Sequence, residues 1–271
     1  MKRVSNFQVC RLKQYIICFI LLAFQSLLSH CQTDSPATRT NAILISKLNS
    51  AINFDGIPDE EAWNTIVPFK LTMYSPVYGK EPSEISDVRM SFDDKYLYLG
   101  AKLLYRNPGI IKSTSLKRDF SGATGDWFGI FLDTYNDKEN AMIFGTSPEG
   151  LRFDASIQKD AVVFMPDQMP MNLSWNTFWD VLTKQDSKGW YAEFRIPLSS
   201  LRFQEINGEV KMGLTIERWI PASNEIDLFP AIPPNWGPTS PLKPSQAQEI
   251  VFHGIKPDKP LYIAPYALAG Y

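Results

Sequence analysis

Apolar residues in this chain recur at every second position. Val88, Met90 and Phe92 alternate with Asp87, Arg89 and Ser91, and after Asp93-Asp94-Lys95 the residues Leu97, Leu99, Ala101 and Leu103 alternate on the return. A period of two belongs to a half-buried strand, and two such runs around a short polar turn predict a hairpin. Residues 141–144 and 151–157 flank Ser147-Pro148-Glu149-Gly150 as a second hairpin, and residues 179–184 and 190–196 flank 185–189 as a third. Residues 126–133 are apolar on both faces, as an interior strand would be, and 210–220 form a long strand that Pro221 stops. The 20 Pro and 15 Gly among 271 residues favour many short, punctuated segments over long helices. One helical turn is expected at Pro58 to Trp63, where proline at the first position and acidic residues near the positive end suit a helix start. Another is expected within residues 197–203. The fold class predicted is all-β: an antiparallel, jelly-roll-like β-sandwich over residues 42–255, with one or two short helical turns.

Residues 1–31 are read separately. Lys2, Arg3, Arg11 and Lys13 precede an apolar run at 15–24 that is too short to cross a bilayer, and a polar exit follows. That pattern is a secretory signal peptide, so the chain is expected to be exported, to the periplasm or the outer membrane. Cys31 stands where a lipoprotein cysteine would, but His30 is larger than the small residue usual before it. Residues 32–41 read as a flexible leader. The signal segment holds all four of those basic residues and no acidic one, so its removal shifts the balance of 27 basic and 29 acidic residues further toward acid. Nucleic acid is therefore not an expected partner, since phosphate neutralisation needs a basic surface. Cys10, Cys18 and Cys31 all fall in or at the edge of this segment, which leaves the domain without a disulfide or a thiolate ligand.

The chemistry-bearing candidates are mostly aromatic. Trp175 and Trp179 lie in a polar stretch beside a strand, and Trp236 lies in the loop Pro233-Pro234-Asn235-Trp236-Gly237-Pro238. Such an indole either covers a core edge or offers a flat apolar face to a ligand; sugar rings have matching apolar faces, and their hydroxyls want carboxylate and guanidinium groups. Alternation puts Trp190, Ala192, Phe194 and Ile196 on a core face and Tyr191, Glu193 and Arg195 on the other. It likewise puts Met212, Leu214, Ile216 and Ile220 inward and Lys211, Thr215, Glu217 and Trp219 outward. If the two strands are neighbours, Tyr191, Glu193, Arg195, Glu217 and Trp219 share one face, suited to sugar recognition or to an ordinary solvated sheet. Arg218 falls on the apolar side, where a guanidinium needs a carboxylate such as Asp126 or a ligand. Asp133 to Asp137 is an oxygen-rich turn, fit for a structural calcium ion or for a simple Asx turn.

With the strands laid out, the chain resembles the family 9-like carbohydrate-binding modules, relatives of the DOMON-type sandwiches. The resemblance rests on Phe54-Asp55-Gly56 with Asp59-Glu60-Glu61-Ala62-Trp63, on Phe92-Asp93-Asp94-Lys95-Tyr96-Leu97-Tyr98, and on Asp126-Trp127 with Phe131-Leu132-Asp133. It continues through Trp175, Trp179, the run from Gly189-Trp190-Tyr191 to Arg195-Ile196-Pro197, and Glu217-Arg218. It implies a non-catalytic domain that binds a polysaccharide or oligosaccharide by aromatic clamping, often with structural calcium, and sometimes alongside O-glycosyl hydrolysis in carbohydrate catabolism. Trp175, Trp179, Trp219 and Trp236 are then the clamp candidates, Glu193 and Arg218 the hydroxyl partners, and Asp133 and Asp137 the metal candidates. After the linker at 256–260, Ala264-Pro265-Tyr266 resembles the entry to a bacterial outer-membrane β-barrel, a possible partner domain. Competing readings are a glycoside hydrolase, for which no carboxylate spacing stands out, and a haem-binding DOMON-like module, whose axial ligand would be a methionine, a lysine or His253.

Overall fold

The computed structural model describes residues 41–106, 111, 125–163 and 170–257. The expected signal segment, the leader up to residue 40 and the barrel-like stretch from 258 onward lie outside them. The strands are β1 (Ile43–Leu44), β2 (Thr72–Ser75), β3 (Ser86–Phe92), β4 (Tyr96–Leu104), β5 (Trp127–Asp133), β6 (Ala141–Thr146) and β7 (Arg152–Ile157). They continue with β8 (Met171–Asn172), β9 (Asp180–Gln185), β10 (Gly189–Pro197), β11 (Glu209–Ile220), β12 (Glu225–Phe229) and β13 (Gln248–His253).

The three expected hairpins are β3–β4, β6–β7 and β9–β10. Side chains at their turns satisfy the bending backbone: Asp93 accepts from the N–H groups of Lys95 and Tyr96, and Asp186 from those of Lys188 and Gly189. The expected helical turn is α1 (Glu61–Asn64), and the second is a 3-10 turn at Leu198–Ser200. Further 3-10 turns occur at Lys159–Ala161, Gly237–Leu242 and Pro244–Gln246.

Among the described residues the strands form two sheets. The larger has nine strands in the order β1-β13-β11-β5-β6-β7-β8, with β12 on the C-terminal half of β11 and β2 beyond it; the smaller runs β3-β4-β10-β9. Strand β1 pairs with β13 in parallel, and the other strand pairings are antiparallel. The sheets pack face to face as a β-sandwich. Met90, Leu99 and Phe194 from the smaller sheet meet Phe128, Ile130, Leu214 and Phe252 from the larger. Each of these side chains excludes water from a core of interdigitated apolar groups, the main favourable contribution to folding.

Strands β10 and β11 lie in different sheets, so the single face expected to carry Tyr191, Glu193, Arg195, Glu217 and Trp219 does not exist. Alternation fixes the side of a strand on which a residue projects and leaves open the sheet to which the strand belongs. Tyr191, Glu193 and Arg195 lie on the outer side of the smaller sheet; Glu217 and Trp219 lie on the outer side of the larger.

Arg218 ties the two sheets together. It projects inward from β11, is fully buried, and donates from Nη1 to the Ile85 carbonyl (2.9 Å) and the Ser86 hydroxyl (2.9 Å), and from Nη2 to the Leu104 carbonyl (3.1 Å). The guanidinium also lies 4.9 Å from the Tyr105 ring centroid. Burial pushes its pKa down to about 10, opposed by the charges of Asp227, Asp126, Glu84 and Glu225. The expected relation to Asp126 is therefore present as one electrostatic contribution among four. Replacing Arg218 by Met should cost about 3–5 kcal/mol, because the carboxylates and carbonyls left behind are buried without their cation. Urea unfolding measures this, and a loss below about 1 kcal/mol would show that the staple is dispensable.

Candidate functional site

Each outer face of the sandwich needs its own cover. On the smaller sheet the cover is the segment around residues 53–65. The Asp55 and Gly56 N–H groups donate to one oxygen of Glu193 (2.9 and 2.8 Å), Arg195 lies 4.4 Å from the Phe54 ring centroid, and Trp63 packs over Gly100. Glu193, expected to meet sugar hydroxyls, is thus sealed beneath the Asp55-Gly56 turn at 1% exposure. Burial pushes its carboxyl up to about 7, against the two backbone donors that pull it down.

Three further site candidates are placed by the structure, Trp179 and Arg218 by burial and the Asp133/Asp137 pair by hydrogen bonding. Trp179 is in the core, stacked on Phe194 (5.5 Å, 18° between planes) and edge-on to Phe144, so neither indole face can receive a sugar. Arg218 is enclosed between the sheets, its Nη1 and Nη2 groups holding the contacts described and its Nε buried. Asp133 accepts from the N–H groups of Asp137 and Lys138, and Asp137 from those of Glu139 and Asn140 and from the Asn140 amide. All four carboxylate oxygens are therefore engaged in closing the turn. Among the described residues no three acidic, His or Cys side chains converge as a metal site. In this arrangement the two aspartates make Asx-type caps.

Trp175, Trp219 and Trp236 remain. Trp175 is partly buried at the edge of the core, edge-on to Phe144 at 6.0 Å. Trp236 is 41% exposed; its ring lies 5.5 Å from the Lys243 ammonium, which is itself held by the Asp160 carbonyl and carboxylate.

Trp219 belongs to a different setting, the outer face of the larger sheet. Part of this face is closed: Phe131, Asp133 and Thr215 lie under Pro241, Leu242, Lys243 and Pro244. Beyond that cover, strand register places Trp219 directly opposite Trp127 and Glu217 directly opposite Gly129. Gly145 on β6 pairs with Gly129, on the same face. These two glycines form a floor. A Cβ at Gly145 would collide with Cζ2 of Trp127, and one at Gly129 would lie 2.6 Å from its Cη2. The Trp127 indole therefore lies across the sheet, which larger residues at either position would forbid, and Phe131 and Phe153 bracket it at 6.2 Å. Glu217 retains some accessible surface but is packed closely enough for burial alone to push its carboxyl up to about 7.

Sequence reasoning placed Trp219 and Glu217 outward but missed Trp127, whose role depends on Gly129 and Gly145 falling side by side. Two glycines inside strands were the available signal; the register that joins them was not.

No family model matches the sequence, and no curated protein does. Solved structures do. A family 9 carbohydrate-binding module from Caldicellulosiruptor kristjanssonii, in complex with cellotriose, superposes with a TM-score of 0.51 at 17% identity, over 83% of this chain and 100% of that one. The chain shares the β-sandwich fold of that module. A Bacteroides uniformis protein provisionally described as carbohydrate-binding superposes with a TM-score of 0.56 at 9% identity, over 78% of this chain and 99% of that one.

Glu193, Glu217 and Asp227 share a consequence for stability. Asp227 is pushed up to about 8, first by burial and then by Glu225 beside it. All three hold their protons to higher pH in the folded chain than their ordinary carboxyl values of 3.8–4.5 allow when unfolded. Between those values the native state binds more protons, so stability should fall as pH rises from about 4.5 to 8. Urea midpoints measured across this range test the prediction, with Asp227→Asn flattening the decline; midpoints that climb toward pH 8 would contradict it.

Proposed function

We propose that this domain binds carbohydrate on the outer face of the larger sheet, with Trp127 and Trp219 as apolar platforms and Glu217 as the hydroxyl acceptor. The observation that carries the reading is the Trp127 indole laid across the glycine floor, one row from a carboxyl group on the same face. Pyranose rings present apolar C–H faces and polar edges together, and this juxtaposition of indoles and a carboxyl suits both. The fold likeness to a carbohydrate-binding module solved in complex with cellotriose adds support.

Glu217 would accept hydrogen bonds from sugar hydroxyls most strongly as a carboxylate, since charged acceptors make the stronger bonds. Its high pKa means that a ligand donating to the ionised form would draw the proton off at neutral pH.

Isothermal titration of glucose, cellobiose, cellotriose and a panel of mannose-, xylose- and galactose-based oligosaccharides tests the reading. At least one series should bind, and Trp219→Ala, Trp127→Ala and Gly145→Ala should each weaken it by about tenfold or more. The alanine at Gly145 acts without touching ligand, by lifting the indole off its floor. Folded protein that binds no member of the panel, or binding untouched by all three substitutions, would overturn the assignment.

A further inference from the structure

We propose that this face is a track for an extended oligosaccharide, running across the strands from Trp127 through Trp219 to Tyr74 and Trp236. The inference rests on the sugar-binding reading above and adds to it the length and direction of the ligand.

The register supplies the path. Trp127 on β5 lies opposite Trp219 on β11, Trp219 lies opposite Ile226 on β12, and Ile226 lies opposite Ser75 on β2. Directly opposed residues project to the same side of a sheet, so all four positions share the outer face. The register shifts between Ile226 and Asp227, where Ser75 and then Met73 are the paired residues of β2. Tyr74 is the extra residue of this bulge. Met73 is buried on the inner side, and Tyr74 turns outward beside Ser75.

The Tyr74 hydroxyl supports that direction, because it donates to the Gly237 carbonyl at 2.8 Å in the segment that covers the outer face. Trp236 immediately precedes Gly237. Its ring rests against Lys243 on one side and is 41% exposed, the most open of the aromatic surfaces in this row.

The row crosses four adjacent strands. At about 4.8 Å per strand, the backbones under Trp127 and Tyr74 are about 14 Å apart, and Trp236 adjoins the row through Gly237 and Lys243. That span exceeds one pyranose ring. Trp127, Trp219, Ile226 and Tyr74 all keep partial exposure, so the apolar positions are accessible along the row. Glu217, Ser75 and the Tyr74 hydroxyl lie among them. Aromatic surfaces spaced along a shallow face, interleaved with polar groups, match a linear glycan whose successive rings offer apolar faces and hydroxyl edges in turn. A single-sugar pocket would instead concentrate its polar groups at one point and close around them.

The experiment takes the best-binding series of the panel at one, three and six residues and measures affinity calorimetrically for the wild-type chain, Tyr74→Ala, Trp236→Ala and Trp236→Phe. Affinity should rise roughly tenfold from one residue to six. Tyr74→Ala and Trp236→Ala should abolish most of that gain while leaving the monosaccharide affinity unchanged, and Trp236→Phe, which keeps a ring, should retain it. Thermal melts establish that each variant is folded, and the Trp236 pair carries the test should Tyr74→Ala unfold. Equal affinity at all three lengths, or a length-dependent gain that survives both alanine variants, overturns the track and leaves the sugar-binding reading standing. No binding at any length overturns both.

Discussion

A two-layer sandwich solves one packing problem and creates two more. The shared interior removes Trp179, Trp190, Phe128, Phe144 and Phe194 from water, but each sheet still has a second side whose apolar groups must be covered or used. The smaller sheet is closed by its own chain, with the Glu193 carboxylate holding the Asp55-Gly56 turn and Trp63 set over Gly100. Among the described residues the larger sheet is closed in part, by residues around 241–244 and by Ala161 and Met171. What that cover leaves over is a row of partly exposed aromatics, and the functional reading grows from it.

The acids and the arginine at the sheet interface illustrate how charge is tolerated inside such a fold. Arg218 has hydrogen-bond acceptors from two strands of the opposite sheet, and the acids around it oppose the burial that lowers its pKa. Asp227, at 0% exposure, reduces the local cost by keeping its proton beside Glu225 at neutral pH. Burial first, and then the Glu225 charge, favour its neutral form.

Much of this was legible in the alternation of residues. The hairpins at residues 88–103, 141–157 and 180–196, the interior strand at 127–133 and the inward side of Arg218 follow from a period of two. The site was less legible, because a ligand face depends on which strands are neighbours, and register is a long-range property. Glu193 and Glu217 have the same outward pattern in sequence. One became a cap on the chain's own backbone and the other stayed partly exposed on the outer face of the larger sheet. Trp175 and Trp179 sit four residues apart in one polar stretch, yet only Trp179 reaches into the core, against Phe194. Trp127 gained its position from Gly129 and Gly145, whose pairing no local pattern displays.

The central claim is that ligand meets the indoles of the larger sheet's outer face. The most direct test follows the seven tryptophan indole N–H resonances by two-dimensional NMR during titration with a binding oligosaccharide. Signals of Trp127, Trp219 and Trp236 should shift in a saturable way, while those of Trp63, Trp179 and Trp190 hold still. Shifts confined to Trp175, or to the buried indoles, would place the ligand elsewhere and contradict the account.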